Sequence, residues 1–172
     1  MRLRIGLRVI ASALAVCAGG GLVSAQTKVA IINLQKAVLE SAEIQKASAE
    51  LTAKYKPRAD QIDQLQKDIA GISQQLQNGK LSPQAEADLN AQGTRKQRDL
   101  QRIQEDLQAD VDRERNEILS KSSQKMSEVV KKIAEEKGFD MVVDVSTTVY
   151  FKPAMEITTD AIAAYNKAYP AK

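Results

Sequence analysis

A chain of 172 residues with 25 basic and 22 acidic side chains, no histidine, no tryptophan and a single cysteine is long enough for one domain but lacks many of the groups that enzymes use. The missing histidine excludes Ser-His and Cys-His nucleophile pairs and histidine-ligated zinc. A formal net charge of +3 is too small for a protein whose work is to neutralise many phosphates of a nucleic acid.

Residues 1–25 read as a cleaved secretory signal. Arg2, Arg4 and Arg8 form a basic start, Val9 to Val23 is small and apolar, and Val23-Ser24-Ala25 is a pattern that signal peptidase accepts before Gln26. The stretch is shorter than the roughly 20 apolar residues of a membrane span, so an uncleaved anchor is the weaker reading. Leu14-Ala15-Val16-Cys17 faintly resembles a lipoprotein cleavage site, but Val16 is larger than the residue such sites place before their cysteine. A cut after Ala25 places the protein in the periplasm with no cysteine, hence no disulfide. It also removes three arginines and no acids, leaving 22 basic against 22 acidic residues.

Lys28 to Asn33 is a short β-prone run, and Asn33 or a neighbour can open a helix. From Leu34 to Gln77 good helix formers dominate. Ile62, Leu65, Ile69, Ile72 and Leu76 repeat at alternating spacings of three and four, the heptad seam of a helix that pairs along its length. Ile44, Ala47, Leu51 and Tyr55 extend the stripe upstream. Pro57 is expected to kink this helix or break it at Lys56. Asn78-Gly79-Lys80-Leu81-Ser82-Pro83 then reads as stop, turn and restart, with Gly79 ending one helix, Ser82 capping the next and Pro83 at its first position. The return helix runs from Pro83 to about Lys137 along Leu89, Lys96, Leu100, Ile103, Leu107 and Val111, and then Ile118, Met126, Val129, Val130 and Ile133. At 1.5 Å per residue it is about 80 Å long, too long for a sphere of this mass, so the hairpin must project. Pro57, Gly71 and Gly93 are the candidate hinges.

Gly138 ends the return helix. Phe139 to Val145 is an expected strand with Met141, Val143 and Val145 on one face and Val142 and Asp144 on the other. Ser146 to Thr148 is expected to turn it into a second strand, Val149-Tyr150-Phe151, stopped by Pro153. Thr158 reads as the cap of a last helix, with Ile157 and Ile162 as a hydrophobic staple and Ile162, Tyr165 and Tyr169 facing the sheet. Only Tyr55 among the aromatics precedes Phe139, so the core belongs at the two ends of the chain. The expected fold is α+β: a long antiparallel helical hairpin, coiled-coil-like, projecting from a small β-containing head. Residues 26–35 and 138–172 make the head, and 36–137 the arm with its tip near 78–83. So small a head is marginal alone and is expected to self-associate. The candidates for its core and its oligomeric contacts are Val29, Ile31, Met141, Val143, Val145, Tyr150, Phe151, Ile162 and Tyr165.

No P-loop, dinucleotide-binding glycine pattern or EF-hand is present, and no cofactor, metal or enzymatic activity is expected. Asp106, Asp110 and Glu117 read as a solvated helix face, and Asp112 to Glu117 alternates in charge as an exposed coiled-coil flank does. Arg95, Lys96, Arg98 and Arg102 cluster without interleaved aromatics, so base stacking is not their purpose.

The leader, Lys28-Val29-Ala30-Ile31-Ile32-Asn33 near the mature start, the helical hairpin, Asp140-Met141-Val142-Val143-Asp144, the Tyr150 segment and Asp160 before the last helix together resemble the Skp family of OmpH-like periplasmic chaperones. The resemblance covers the whole mature chain. It implies a homotrimer whose heads join in a β-containing body, and an ATP-independent holdase whose arms enclose unfolded outer membrane β-barrel proteins and prevent their aggregation. Family members are often distinctly basic, and this near-neutral chain departs from that, which weakens contact with anionic lipid or lipopolysaccharide. Ile62, Ile69, Leu89, Leu100 and Met126 are the client-binding candidates, with packing inside the hairpin as their competing role. The alternatives are a secreted structural coiled coil and a nucleic-acid- or lipopolysaccharide-binding protein.

Overall fold

The computed structural model describes residues 27–171. The expected signal segment and its expected cleavage point lie outside them. The order is β1 (Val29–Ile32), α1 (Leu34–Leu39), α2 (Ala42–Gln77), α3 (Pro83–Lys137), β2 (Met141–Asp144) and α4 (Thr158–Ala168).

Strands β1 and β2 pair in parallel, with Val29 opposite Met141 and Ile32 opposite Asp144. The pair is clipped at its start, where the Lys28 amide donates to Asp140 Oδ2 at 2.7 Å and the Asp140 amide donates to the Lys28 carbonyl at 2.8 Å. Parallel neighbours cannot be joined by a tight turn and need a crossover connection. Here the whole helical hairpin is that crossover, lengthened until it leaves the head. On the other side of β1 the Ile157 amide donates to the Ile31 carbonyl at 2.8 Å.

The expected second late strand does not form. The strand expected over Phe139 to Val145 is trimmed to Met141–Asp144, and Val145–Thr147 winds into a short 3-10 turn. Asp144 is the cause: its Oδ1 accepts from the Ser146 amide at 2.8 Å, and its carbonyl accepts from the Thr147 and Thr148 hydroxyls at 2.9 and 3.1 Å. Such local side-chain bonds compete directly with a strand ladder. Val149 and Tyr150 are left exposed, and Pro153 opens a second 3-10 turn, Pro153–Met155, instead of closing a strand.

The first arm differs from expectation in two ways. The helix stops after Leu39 and restarts at Ala42, because Ser41 is extended and its hydroxyl accepts from the Ile44 amide at 3.4 Å while donating to the Val38 carbonyl at 2.7 Å. Pro57, in contrast, does not break the helix at Lys56: α2 is continuous through it. The tip forms as read. Gly79 has φ +63°, the Ser82 hydroxyl accepts from the Ala85 amide at 3.3 Å, and Pro83 begins α3. Gly138 ends α3 at φ +64°, which a side chain would strain.

One core lies where all the elements meet: Ala30, Ile32, Ala37, Val38, Ile44, Met126, Val129, Ile133, Ile157, Ala161 and Tyr165. It draws on the roots of α2 and α3 as well as on 26–35 and 138–172. Helix α4 packs on α1 and α3 and not, as expected, chiefly on the sheet. Thr158 is not its cap either. Its hydroxyl accepts from the Asn33 amide at 2.9 Å and donates to Glu156 Oε1 at 2.9 Å, so it ties the first and last segments together.

Candidate functional site: the arms and the outer face of the head

Two helices can cover each other along one stripe only, so the arms keep their apolar side chains half wet. Ile62, Ile69, Leu89 and Leu100 are all half-buried in the seam between α2 and α3. Beyond the root, only Tyr55, Ile72 and Gly93 are fully buried. At Gly93 the helices come close, and a Cβ there would meet Ile72 Cγ2 at 3.4 Å. Met126 is a different case from the other client-binding candidates. It is 0% exposed in the head core and has no surface to offer a client.

Several charged residues of the arms pair across the two helices. Glu114 accepts from Lys54 and, at 2.9 Å, from the Tyr55 hydroxyl. Asp110 accepts from Arg58 and from Arg113, each at 2.6 Å. Lys54 first and Tyr55 second hold the Glu114 carboxyl below its ordinary range, and Arg58 then Arg113 do the same to Asp110. Lys96, in the basic cluster, pairs with Asp68 at 2.7 Å. Arg102 sits 3.6 Å from Asp99.

A second set of bonds, which sequence patterning does not show, fixes the arms to the head. Tyr165 is fully buried and its hydroxyl donates to Glu43 Oε2. Glu43 Oε1 accepts from Lys125 at 2.6 Å, and Lys125 lies 4.9 Å from the Tyr169 ring centroid. Asn166 Oδ1 accepts from the Ala42 amide at 2.9 Å, so α4 caps the start of α2. Burial, and then the bond to Glu43, push the Tyr165 phenol up to about 12. Burial also raises the Glu43 carboxyl, but the bonds from Lys125 and Tyr165 outweigh it and the net shift is downward. The residues were visible in the sequence; their meeting across three helices was not.

The head candidates divide by exposure. Ile31 and Tyr165 are buried, whereas Val29, Val143, Val145, Phe151 and Ile162 are half-buried. Met141 is 55% exposed, Tyr150 81%, and Val149, which the sequence reading placed only in a strand, is fully exposed. Val142 packs on the core, so Met141 and Val143, which alternate with it along β2, lie on the outer face. An apolar outer face on so small a head is a feature of surfaces that meet other proteins.

Among the described residues there is no group of three acidic or thiol side chains placed to hold a metal, and no helix long and apolar enough to cross a membrane. A shallow open groove along α3 is lined by Asn116, Glu117, Ser120, Lys121 and Gln124. The arrangement is a helical hairpin rooted in a parallel-stranded head.

The model of the OmpH-like outer membrane proteins matches residues 28–165, and the chain belongs to that family. It is 27% identical over 153 residues to the chaperone protein Skp of Pectobacterium atrosepticum, covering 86% of this chain and 90% of that one. It is 26% identical over 147 residues to a Skp-like protein of Pseudomonas aeruginosa, covering 83% and 86%. The solved structure of an OmpH-like protein of Caulobacter crescentus CB15 has the same fold, with a TM-score of 0.70 at 18% identity over 86% of this chain and 89% of that one. A chaperone role is what this membership gives the chain.

Proposed function

We propose that the chain is an ATP-independent periplasmic holdase that keeps unfolded outer membrane β-barrel proteins from aggregating, and that it works as a homotrimer. The observation that supports this best is the half-buried apolar stripe along the arms, Ile62, Ile69, Leu89 and Leu100, on a hairpin whose core lies elsewhere, in the head. An unfolded barrel strand exposes apolar side chains and unpaired backbone groups. Many weak apolar contacts on adaptable walls shelter such a chain without selecting one pose. The exposed Met141, Val149 and Tyr150 join the heads, so that several arms surround one client. Three copies is the number the family resemblance implies.

The test is light scattering of a urea-diluted outer membrane β-barrel protein with and without the mature chaperone. Suppression of scattering with no nucleotide present is the expected result. A mature chain that remains monomeric and leaves client aggregation unchanged overturns the reading. An elongated oligomer without suppression points instead to a structural coiled coil.

A further inference from the structure

Proline inside a helix has no amide hydrogen to donate to the carbonyl four residues back and crowds that carbonyl with its ring. Pro57 lies well inside α2, so the Ala53 carbonyl lacks that bond. Within one turn of this defect, Lys54, Tyr55 and Arg58 all reach across to α3. Lys54 and Tyr55 converge on Glu114, and Arg58 shares Asp110 with Arg113. The two cations also flank the Tyr55 ring, at 5.3 and 5.8 Å from its centroid. The other side-chain bonds between α2 and α3 among the described residues stand singly, Lys96 to Asp68 far out on the arm and Lys125 to Glu43 at the root. Apolar packing is thin in the same region: between Tyr55 and Ile72, no α2 side chain is fully buried.

We infer that Pro57 and the cluster of Lys54, Tyr55, Arg58, Asp110 and Glu114 are one device, a hinge in α2 with a latch across it. With the latch closed, the inner half of the arm is a stiff two-helix rod. With it open, α2 bends at Pro57 and the outer arm swings while the root stays fixed by Glu43, Lys125 and Tyr165. A latch of exposed ion pairs opens more readily than an apolar seam, since its strength falls as salt screens it. The inference concerns the hairpin alone and stands whatever the arms hold.

Hydrogen exchange on the intact protein tests it. Asp110→Asn with Glu114→Gln is expected to speed exchange of the α2 amides flanking Pro57 by about tenfold while the amides of β1 and α4 are unchanged. Adding Pro57→Ala, which restores the missing bond, is expected to abolish most of that gain. The wild type needs no substitution for a parallel test: raising NaCl from low concentration to about 1 M should speed the same amides. Unchanged exchange around Pro57 in the double variant or in high salt overturns the inference. So does equal loosening with and without Pro57.

Discussion

At the residue scale, Tyr165 does more than fill the core. Its phenol is held neutral against Glu43 and ionises only at about 12. A folded value above the unfolded one, near 10, means that the stabilisation is complete below pH 10 and is lost as pH rises from about 10 to about 12, on the order of 3 kcal/mol in all. Glu43 has the opposite sign: its lowered carboxyl stabilises above the ordinary carboxylate range, and that contribution fades as acid protonates it. Tyr165→Phe is expected to lose about 1.5 kcal/mol at neutral pH, as a hydrogen bond to a charged group does, and to flatten the alkaline loss. Urea midpoints of both proteins at pH 7 and pH 11 check this; a variant as sensitive to alkali as the wild type would assign the loss to other groups. Asp144 shows the same principle of local chemistry deciding shape. Bonds from the Ser146 hydroxyl and amide, and from the Leu34 amide, lower its carboxyl, and the bond from the Ser146 amide holds the turn that ends β2 at Asp144.

At the element scale, the two arm glycines are not alike. An added Cβ at Gly71 meets nothing within 4 Å, whereas at Gly93 it meets Ile72 Cγ2 at 3.4 Å. Gly71→Ala is therefore expected to stabilise α2 by about 1 kcal/mol through helix propensity alone, with thermal unfolding as the readout. Gly93→Ala should gain less, because the tight contact offsets the propensity; an equal gain would show that the helices separate freely there. The elements most legible in the sequence were those fixed by local signals: β1, the tip at Gly79 to Pro83, and both ends of α3. The stop at Leu39 to Ser41 was missed although Ser41 and Glu43 are an ordinary helix start, because the apolar stripe continues across it through Ile44. At Pro57 only the break is absent, since α2 is continuous through it. A proline argues for a break, and helix formers on both sides with bonds to α3 keep the helix whole.

At the scale of the whole molecule, the proposed joining of heads rests on their outer face, where a single chain leaves Met141, Val149 and Tyr150 exposed. Val149 and Tyr150 contribute nothing to the single-chain core, so Val149→Asp with Tyr150→Ser is expected to weaken self-association while leaving the helical circular dichroism unchanged. Sedimentation at several concentrations measures this, and a variant that assembles like the wild type would place the joint elsewhere. Of the candidate surface, the seam positions Ile62, Ile69, Leu89 and Leu100 were legible from periodicity. Met126 was not separable from them, because the same helical spacing runs from the arm into the root and only packing shows where the head begins.

The sequence by itself determined the helical hairpin, its length, its turn and the placement of every aromatic but Tyr55 in the head, since helix propensity, capping and apolar spacing act between neighbours in the chain. Only the tertiary structure decided that β2 pairs with β1 in parallel, that Tyr165, Glu43 and Lys125 fix the arm roots, and that Lys54, Tyr55 and Arg58 close on Asp110 and Glu114 beside Pro57. Those partners lie far apart along the chain, and a partner brought near by folding has no local pattern to announce it.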